Sequence, residues 1–353
     1  MRSPAEDPFV TWSMDSHDRP TTISDVRVLV TGGCGFIGSH FVKRLAFGGD
    51  EVVVLDKLTY SGRKENLYGV DCDIQVGDIA DPDAVARAAE GCDAIVNFAA
   101  ETHVDRSILG ATDFGRTEFF GTQVLLEEVR RTGARYVQVS TDEVYGDLAD
   151  GGSASETDPV EPSSPYSVAK AAGDLHIPAY VRTFDVNASI TRGSNTYGPN
   201  QYPEKLVPLF VTNALDGEPL PVYGDGKQIR DWLHVEDHCA GVEFVLREGA
   251  PGEVYNVGGG NERENIEITQ RIVELTGADP SLVRHVTDRP GHDRRYSLDS
   301  SKLEGLGWKP ERAFEEGLAE TVEWYRANRA WWEPIRSGEY LEYYRRQYAE
   351  RLG

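Results

Sequence analysis

Short apolar, β-branched runs alternate with longer amphipathic stretches through the first part of the chain. Residues 26–30 (Val-Arg-Val-Leu-Val), 51–55, 73–76, 94–98 (Ala-Ile-Val-Asn-Phe), 136–139 (Tyr-Val-Gln-Val) and 187–192 have the length and composition of buried parallel strands. Helices are predicted from about 82 to 90 and from about 113 to 132, and another opens at Tyr166 after Ser163-Ser164-Pro165. Such alternation predicts an α/β fold with a doubly wound parallel sheet. Beyond about residue 199 the pattern changes. Segments 203–208 and 220–226 mix short strands, turns and helices, as in a smaller, interleaved C-terminal lobe that binds a substrate. Residues 1–22, rich in Asp, Pro, Ser and Thr without an apolar period, are expected to be a disordered extension. The expected division is therefore 1–22, then 23–198 as mainly the sheet domain, then 199–353 as mainly the lobe and C-terminal helices, with an interleaved boundary. Residues 313–353 are helix-prone and aromatic (Trp324, Trp331, Trp332), suited to packing on the body or joining a subunit contact. Pro178 lies within the helix opened by Tyr166 and predicts a kink.

The first strand leads directly into Thr31-Gly32-Gly33-Cys34-Gly35-Phe36-Ile37-Gly38. Gly32, Gly35 and Gly38 form a variant of the dinucleotide fingerprint: a tight turn, a close backbone approach to a pyrophosphate, and close packing of the next helix. Glycines alone serve many strand-to-helix turns. The second strand adds weight by ending at Asp56, where a carboxylate can accept from a ribose 2′-hydroxyl. A 2′-phosphate would be repelled there despite Lys57 and Arg63 nearby, so a Rossmann-type domain holding NAD is predicted. Asp78 reads as an adenine contact or as a turn cap. Ala99 and Ala100 leave room for a nicotinamide or ribose, or for close helix packing.

Two further stretches carry chemistry. Ser140-Thr141-Asp142-Glu143 emerges where the 136–139 strand ends, the edge at which α/β sheets present ligands. Tyr166 and Lys170, four apart, share one helix face, and an ammonium there favours the phenolate. Taken singly, a Tyr-x-x-x-Lys pair is ordinary helix surface and an Asp-Glu pair an ordinary turn. Together they suit oxidation of an alcohol coupled to loss of water.

Asp and Glu total 59 against 36 Lys and Arg, a formal charge of −23, which argues against a nucleic-acid partner. An anionic substrate would need Arg and Lys gathered locally. Cys34, Cys72, Cys92 and Cys239 are scattered, suggesting neither a zinc site nor a disulfide framework. His234 and His238 are four apart, but Glu236 and Asp237 between them fit a helix start better than a metal site. No apolar run is long enough for a membrane span, and a cytoplasmic protein is expected.

With these motifs in hand, the sequence resembles the extended short-chain dehydrogenase/reductase superfamily and, within it, the dTDP-glucose 4,6-dehydratases. The likeness runs from about residue 26 to 310. It includes Asp56-Lys57-Leu58-Thr59-Tyr60, Ala99 to Ser107, Ser140 to Gly146, Tyr202-Pro203-Glu204-Lys205-Leu206, Arg230-Asp231-Trp232-Leu233 and Asp288 to Asp293. The Thr141-Asp142-Glu143 triplet is the most telling part, because relatives that only epimerise lack the acidic pair. The resemblance implies that Tyr166 takes the proton of a sugar 4-hydroxyl held by Thr141, with a hydride passing to NAD. Glu143 then removes the hydrogen on carbon 5, protonated Asp142 releases the 6-hydroxyl as water, and the hydride returns at carbon 6.

The resemblance also implies binding residues. The pyrophosphate falls near Phe36 and Ile37, the adenosine near Asp56 and Asp78, and Lys170 against the nicotinamide ribose, with Thr117 and Tyr166 approaching the cofactor. Lys57, Leu58, Thr59, Ile79, Phe98, Ala99 and Ala100 complete that set. For the sugar nucleotide, dTDP-glucose, it points to Thr102, Thr141, Asn195, Glu204, Lys205, Arg230, Asn265, Arg289 and His292, and it suggests a homodimer. Three departures stand out: Glu118 where the family typically has Asn, Gly193-Ser194 in place of a bulkier pair, and Pro178. The nearest rivals are a 4-epimerase, a UDP-glucuronate decarboxylase, and a dehydratase using another nucleotide sugar. A module that binds NAD without reacting would be expected to have lost Tyr166 or Lys170.

Overall fold

The computed structural model describes residues 26–148, 151–337 and 339–352; the expected extension over 1–22 lies outside them. β1 (Arg27–Thr31) leads through the glycine turn to α1 (Phe36–Gly48), β2 (Glu51–Asp56) and β3 (Asp73–Val76). The chain continues as α2 (Pro82–Ala88), β4 (Ala94–Asn97), α3 (Val104–Leu109) and α4 (Thr112–Gly115). A π-helical turn (Arg116–Gly121) runs into α5 (Thr122–Thr132), followed by β5 (Arg135–Thr141), α6 (Pro165–Phe184) and β6 (Ala188–Gly193). α6 starts on a capping box in which the Ser164 and Ser167 side chains each receive the other's backbone N–H. It continues through Pro178 to Phe184 without interruption.

Seven strands form one parallel sheet in the order β10-β6-β5-β4-β1-β2-β3. Helices cover both faces, which is why these strands are apolar on both sides. Val28, Val30, Val96 and Val137 pack with Phe41 on one face; Leu29, Leu55, Ile95 and Tyr136 pack with Leu125 and Ile177 on the other. Strand order reverses between β1 and β4, and the crevice at that switch point is where such sheets bind ligands.

The C-terminal half forms β7 (Asn195–Tyr197), α7 (Leu206–Asp216), β8 (Leu220–Tyr223), β9 (Ile229–His234), α8 (Val235–Glu248) and β10 (Val254–Val257). It continues with β11 (Glu262–Glu264), α9 (Asn265–Thr276), β12 (Val283–Val286), α10 (Ser301–Leu306), α11 (Phe314–Ala327), α12 (Arg329–Trp332) and α13 (Glu339–Leu352). Most of this packs around a separate apolar cluster that includes Phe210, Trp232, Leu318 and Trp332. α8, β10 and α10 are the exceptions, Leu303 of α10 packing in the cluster that holds Phe41. α8 lies against α1, and β10 pairs with β6 (Val254 with Ile190) as the seventh strand, which the sequence analysis did not predict. The chain thus crosses back into the sheet after entering the lobe. Among the described residues no helix is long and apolar enough to cross a membrane, and no group of His, Cys, Asp and Glu is placed to hold a metal ion.

Candidate active site

The glycine turn brings backbone, not side chains, to the C-terminal edge of β1. Gly32 has φ +67°, and a Cβ there would stand 2.6 Å from the Ala99 nitrogen, so the turn packs directly on the end of β4. Gly35 precedes α1 with no side-chain cap, leaving the first N–H groups of that helix for an anion. Asp56 closes the loop from below. Its two oxygens accept from the N–H groups of Cys34 (2.9 Å) and Leu58 (2.7 Å), and burial raises the carboxyl's pKa despite both bonds. Asp78 caps a turn through the Ala80 N–H at 2.9 Å and meets Lys57 at 3.1 Å, so the turn-cap reading has a partner in the structure. Leu58 has φ +54° and lines neither cavity described below.

A cavity of about 280 Å³ runs from this turn across the sheet edge. Its wall includes Gly32, Phe36, Asp56, Asp78, Ala99, Thr117, Thr141 to Glu143, Tyr166 and Lys170. A second cavity of about 160 Å³ lies in the lobe, walled by Arg230, Asn265, Arg289, His292 and Tyr348 among others. Glu143, Asn195, Glu204 and Lys205 border both. The glycine cradle, the bare start of α1 and the buried, unpartnered Nε2 of His238 fit a dinucleotide such as NAD in the first cavity. The unpartnered Asn195 Oδ1, Asn265 Oδ1 and Arg289 Nη1 fit a polar ligand at the second.

Thr141 ends β5 and caps a 3₁₀ turn over Asp142–Tyr145 that buries Asp142 and leaves Glu143 half-buried. Its hydroxyl donates to Asp142 Oδ1 (3.0 Å) and accepts from the Glu143 N–H (3.3 Å). Burial drives the Asp142 pKa up to about 8, with the Glu143 charge as second cause. Burial also raises Glu143, but Arg289, Lys205 and Arg230 pull it back. At neutral pH Asp142 therefore holds its proton, while Arg289, Lys205 and Arg230 offset part of the rise at Glu143, which suits an acid beside a base. The expected repulsion between the neighbours contributes, but loss of water around Asp142 is the larger cause.

Tyr166 differs more from expectation. Burial pushes its phenol well above the ordinary value, and Glu143, Glu118 and Asp142 add to that rise. The Lys170 ammonium that was expected to favour the phenolate instead donates to Val139 O (2.9 Å) and pairs with Glu118 Oε2 (3.3 Å).

In the lobe, Arg230 stacks over Tyr296 (4.3 Å) and donates to the carbonyls of Ile229 (2.7 Å) and Asp293 (2.9 Å), which fixes its guanidinium at the cavity wall. The Glu204 carboxylate is taken up by Arg106 (2.8 Å) and the Tyr60 hydroxyl (2.7 Å). His292 is bound to Asp288 at 2.6 Å, and burial holds its pKa down at about 4. Thr102 borders the first cavity.

Sequence reasoning missed several wall residues, His238 and Tyr348 among them. His238, from α8, faces the first cavity because residue 193 is Gly: a Cβ there would stand 2.5 Å from His238 Cε1. That accounts for the small residue noted as a departure. His234, the other histidine of the pair, caps α8 by accepting from the Glu236 N–H. Tyr348 arrives from α13, whose aromatic pattern was the only signal.

The match to known proteins is extensive. The family model described as GDP-mannose 4,6 dehydratase covers residues 29–321. A dTDP-glucose 4,6-dehydratase of Streptomyces niveus is 54% identical over 325 residues, spanning 88% of this chain and 96% of that protein. DesIV, a dTDP-glucose 4,6-dehydratase of Streptomyces venezuelae solved with NAD and dTDP bound, is 54% identical with a TM-score of 0.86, covering 88% of this chain and all of that one. A UDP-glucose 4-epimerase of Thermus thermophilus in complex with NAD is 33% identical at a TM-score of 0.82, over 86% of this chain and all of that one, so the shared fold alone does not choose the reaction. With this coverage and identity, the chain belongs to the nucleotide-sugar 4,6-dehydratase family that the model describes.

Proposed function

We propose that this chain converts dTDP-D-glucose to dTDP-4-keto-6-deoxy-D-glucose. One observation carries the reading: a buried acid and a half-buried base, Asp142 and Glu143, stand together at the end of β5 on the wall shared with Tyr166 and Thr141. An epimerase needs neither. The relatives' names and the nucleotide bound to DesIV support the thymidine nucleotide.

Bound NAD supplies the acceptor for the hydride of carbon 4 and the donor for carbon 6. Tyr166 takes the 4-hydroxyl proton while Thr141 holds that oxygen, a role that needs the phenol ionised against the burial and nearby carboxylates that oppose it. The new ketone acidifies the hydrogen on carbon 5, and Glu143 removes it, then returns a proton to carbon 5 when carbon 6 takes up the hydride. Asp142 gives its proton to the departing 6-hydroxyl, so the carbon–oxygen bond breaks to release water rather than hydroxide. The test is to incubate the holoenzyme with dTDP-, UDP- and GDP-hexoses and weigh the products. A dTDP product lighter by one water supports the reading; an isomer of unchanged mass would make the chain an epimerase.

Arg230 and Lys205 supply the local positive charge that a diphosphate needs on an acidic protein. Arg230→Ala is expected to weaken dTDP binding by about ten- to a hundredfold in calorimetry. Unaltered affinity would put the diphosphate elsewhere.

The chain is further proposed to work as a homodimer. Phe119, Phe120 and Phe184 are part of an aromatic ladder with His176 and Tyr180 across the π turn and α6, and Leu175 beside it is 63% exposed. Such a two-helix face can cover its own copy about a two-fold axis. A monomer in sedimentation at micromolar concentration would oppose this. The free state of all four cysteines supports a cytoplasmic location.

A further inference from the structure

Glu118 is fully buried, and neither of its carboxylate oxygens has an aligned hydrogen-bond donor. Its counter-charge is the Lys170 ammonium, 3.3 Å from Oε2 and itself only 4% exposed. The π-helical turn carries Glu118 inward, and Gly173 lets α6 press against that turn: a Cβ at 173 would stand 3.1 Å from the Glu118 carbonyl oxygen. A pair like this is expensive to build. Two charges leave water, and an amide or an apolar residue of similar volume would fill the space at lower cost. Lys170 nevertheless lines the same wall as Tyr166, with Glu118 3.3 Å from its ammonium, so the pair's charge bears on the chemistry there.

We propose that Glu118 is a positioning residue for the oxidation step: its ion pair with Lys170 fixes where the ammonium stands and withholds part of that positive field from Tyr166. The proposal rests on the reading of Tyr166 as the base. The groups facing Glu118 are Lys170, Asp174 and Tyr166 from α6, Tyr136 from β5 and Glu101 from the loop after β4. Asp174 is itself paired with Arg192 of β6 at 3.0 Å, so Lys170 is the cation left to answer Glu118. Burial raises the Glu118 pKa to about 7 even with Lys170 beside it, and the ionised carboxylate raises the Tyr166 phenol. Removing the carboxylate must therefore favour the phenolate.

The test uses the NAD-loaded enzyme and Glu118→Gln. The rate of hydride transfer in a single turnover with dTDP-glucose, followed by nicotinamide absorbance, should keep its acid limb but shift it lower by up to about one pH unit, making the variant up to about tenfold faster above about pH 7, where Glu118 is ionised, and equal to the parent at lower pH, where Glu118 is already neutral. The same shift should appear in the phenolate absorbance of Tyr166, isolated by subtracting the spectrum of a matching variant that also carries Tyr166→Phe. Glu118→Asp, which keeps the charge, should keep the parent limb. Glu118→Asn is a second neutral variant should the glutamine one fail to fold. A residue that only supports the fold would lower Tm and slow the reaction equally at every pH. An unmoved limb and an unmoved phenolate titration in a folded amide variant overturn the proposal. If the parent itself forms no reduced nicotinamide with dTDP-glucose, the functional reading is what fails, and the phenolate titration still decides the role of Glu118.

Discussion

Glu143→Gln is expected to yield a holoenzyme that oxidises dTDP-glucose but does not dehydrate it. Reduced nicotinamide should build up and persist while no product lighter by one water appears. The amide matches the carboxylate in shape and stays within reach of Arg289, Lys205 and Arg230, the cations that support ionisation of Glu143. What it lacks is the capacity to take a proton from carbon 5. A positioned general base contributes about 10²–10⁴-fold, and dehydration should slow by that order. Oxidation, which rests on Tyr166 and Thr141, should survive in part. Product formed at the parent rate would remove Glu143 from the mechanism.

Tyr166→Phe should act one step earlier. Without the phenol no side chain is placed to receive the 4-hydroxyl proton, so the first hydride transfer should fall by about 10²–10⁴-fold, with dTDP affinity little changed. The ring edge still packs against Phe114 (6.3 Å between centroids), so the wall keeps its shape. Stopped-flow absorbance on the NAD-loaded variant reads the step directly. Reduced nicotinamide forming at the parent rate would show that another group takes the proton. The two variants separate the halves of the reaction, because only the glutamine variant should accumulate the reduced cofactor.

How far the sequence announced this molecule depends on how local each signal is. Strands β1 to β6 were legible because each is an apolar run bounded by turn residues, and the glycine turn explains itself through backbone geometry. β10 was not. Val254-Tyr255-Asn256-Val257 is short, carries an amide in its middle, and becomes a strand because β6, far earlier in the chain, offers it an open edge. Asp142 and Glu143 could be read from their place after β5, since a strand end fixes where neighbouring side chains emerge.

The partner of Lys170 could not be read in the same way. Glu118 was visible as a charge on a helix face near the cofactor, but which residue answers it depends on a π turn and on the approach of α6 at Gly173, both tertiary outcomes. His238 was hidden for a similar reason. Its access to the cavity is set by the missing side chain at residue 193, on another strand.

Glu143, Asn195, Glu204 and Lys205 form a common partition between the two chambers. On the proposed reading a sugar reacts on one side of that partition while its nucleotide is moored on the other, so the half-finished ketone is expected to stay tethered. Leakage of that intermediate into solution would then require the whole mooring to let go. Fidelity in this enzyme is thus a matter of residence time: the grip on a part of the molecule that never reacts decides how often a hydride borrowed from the sugar is returned to the same one.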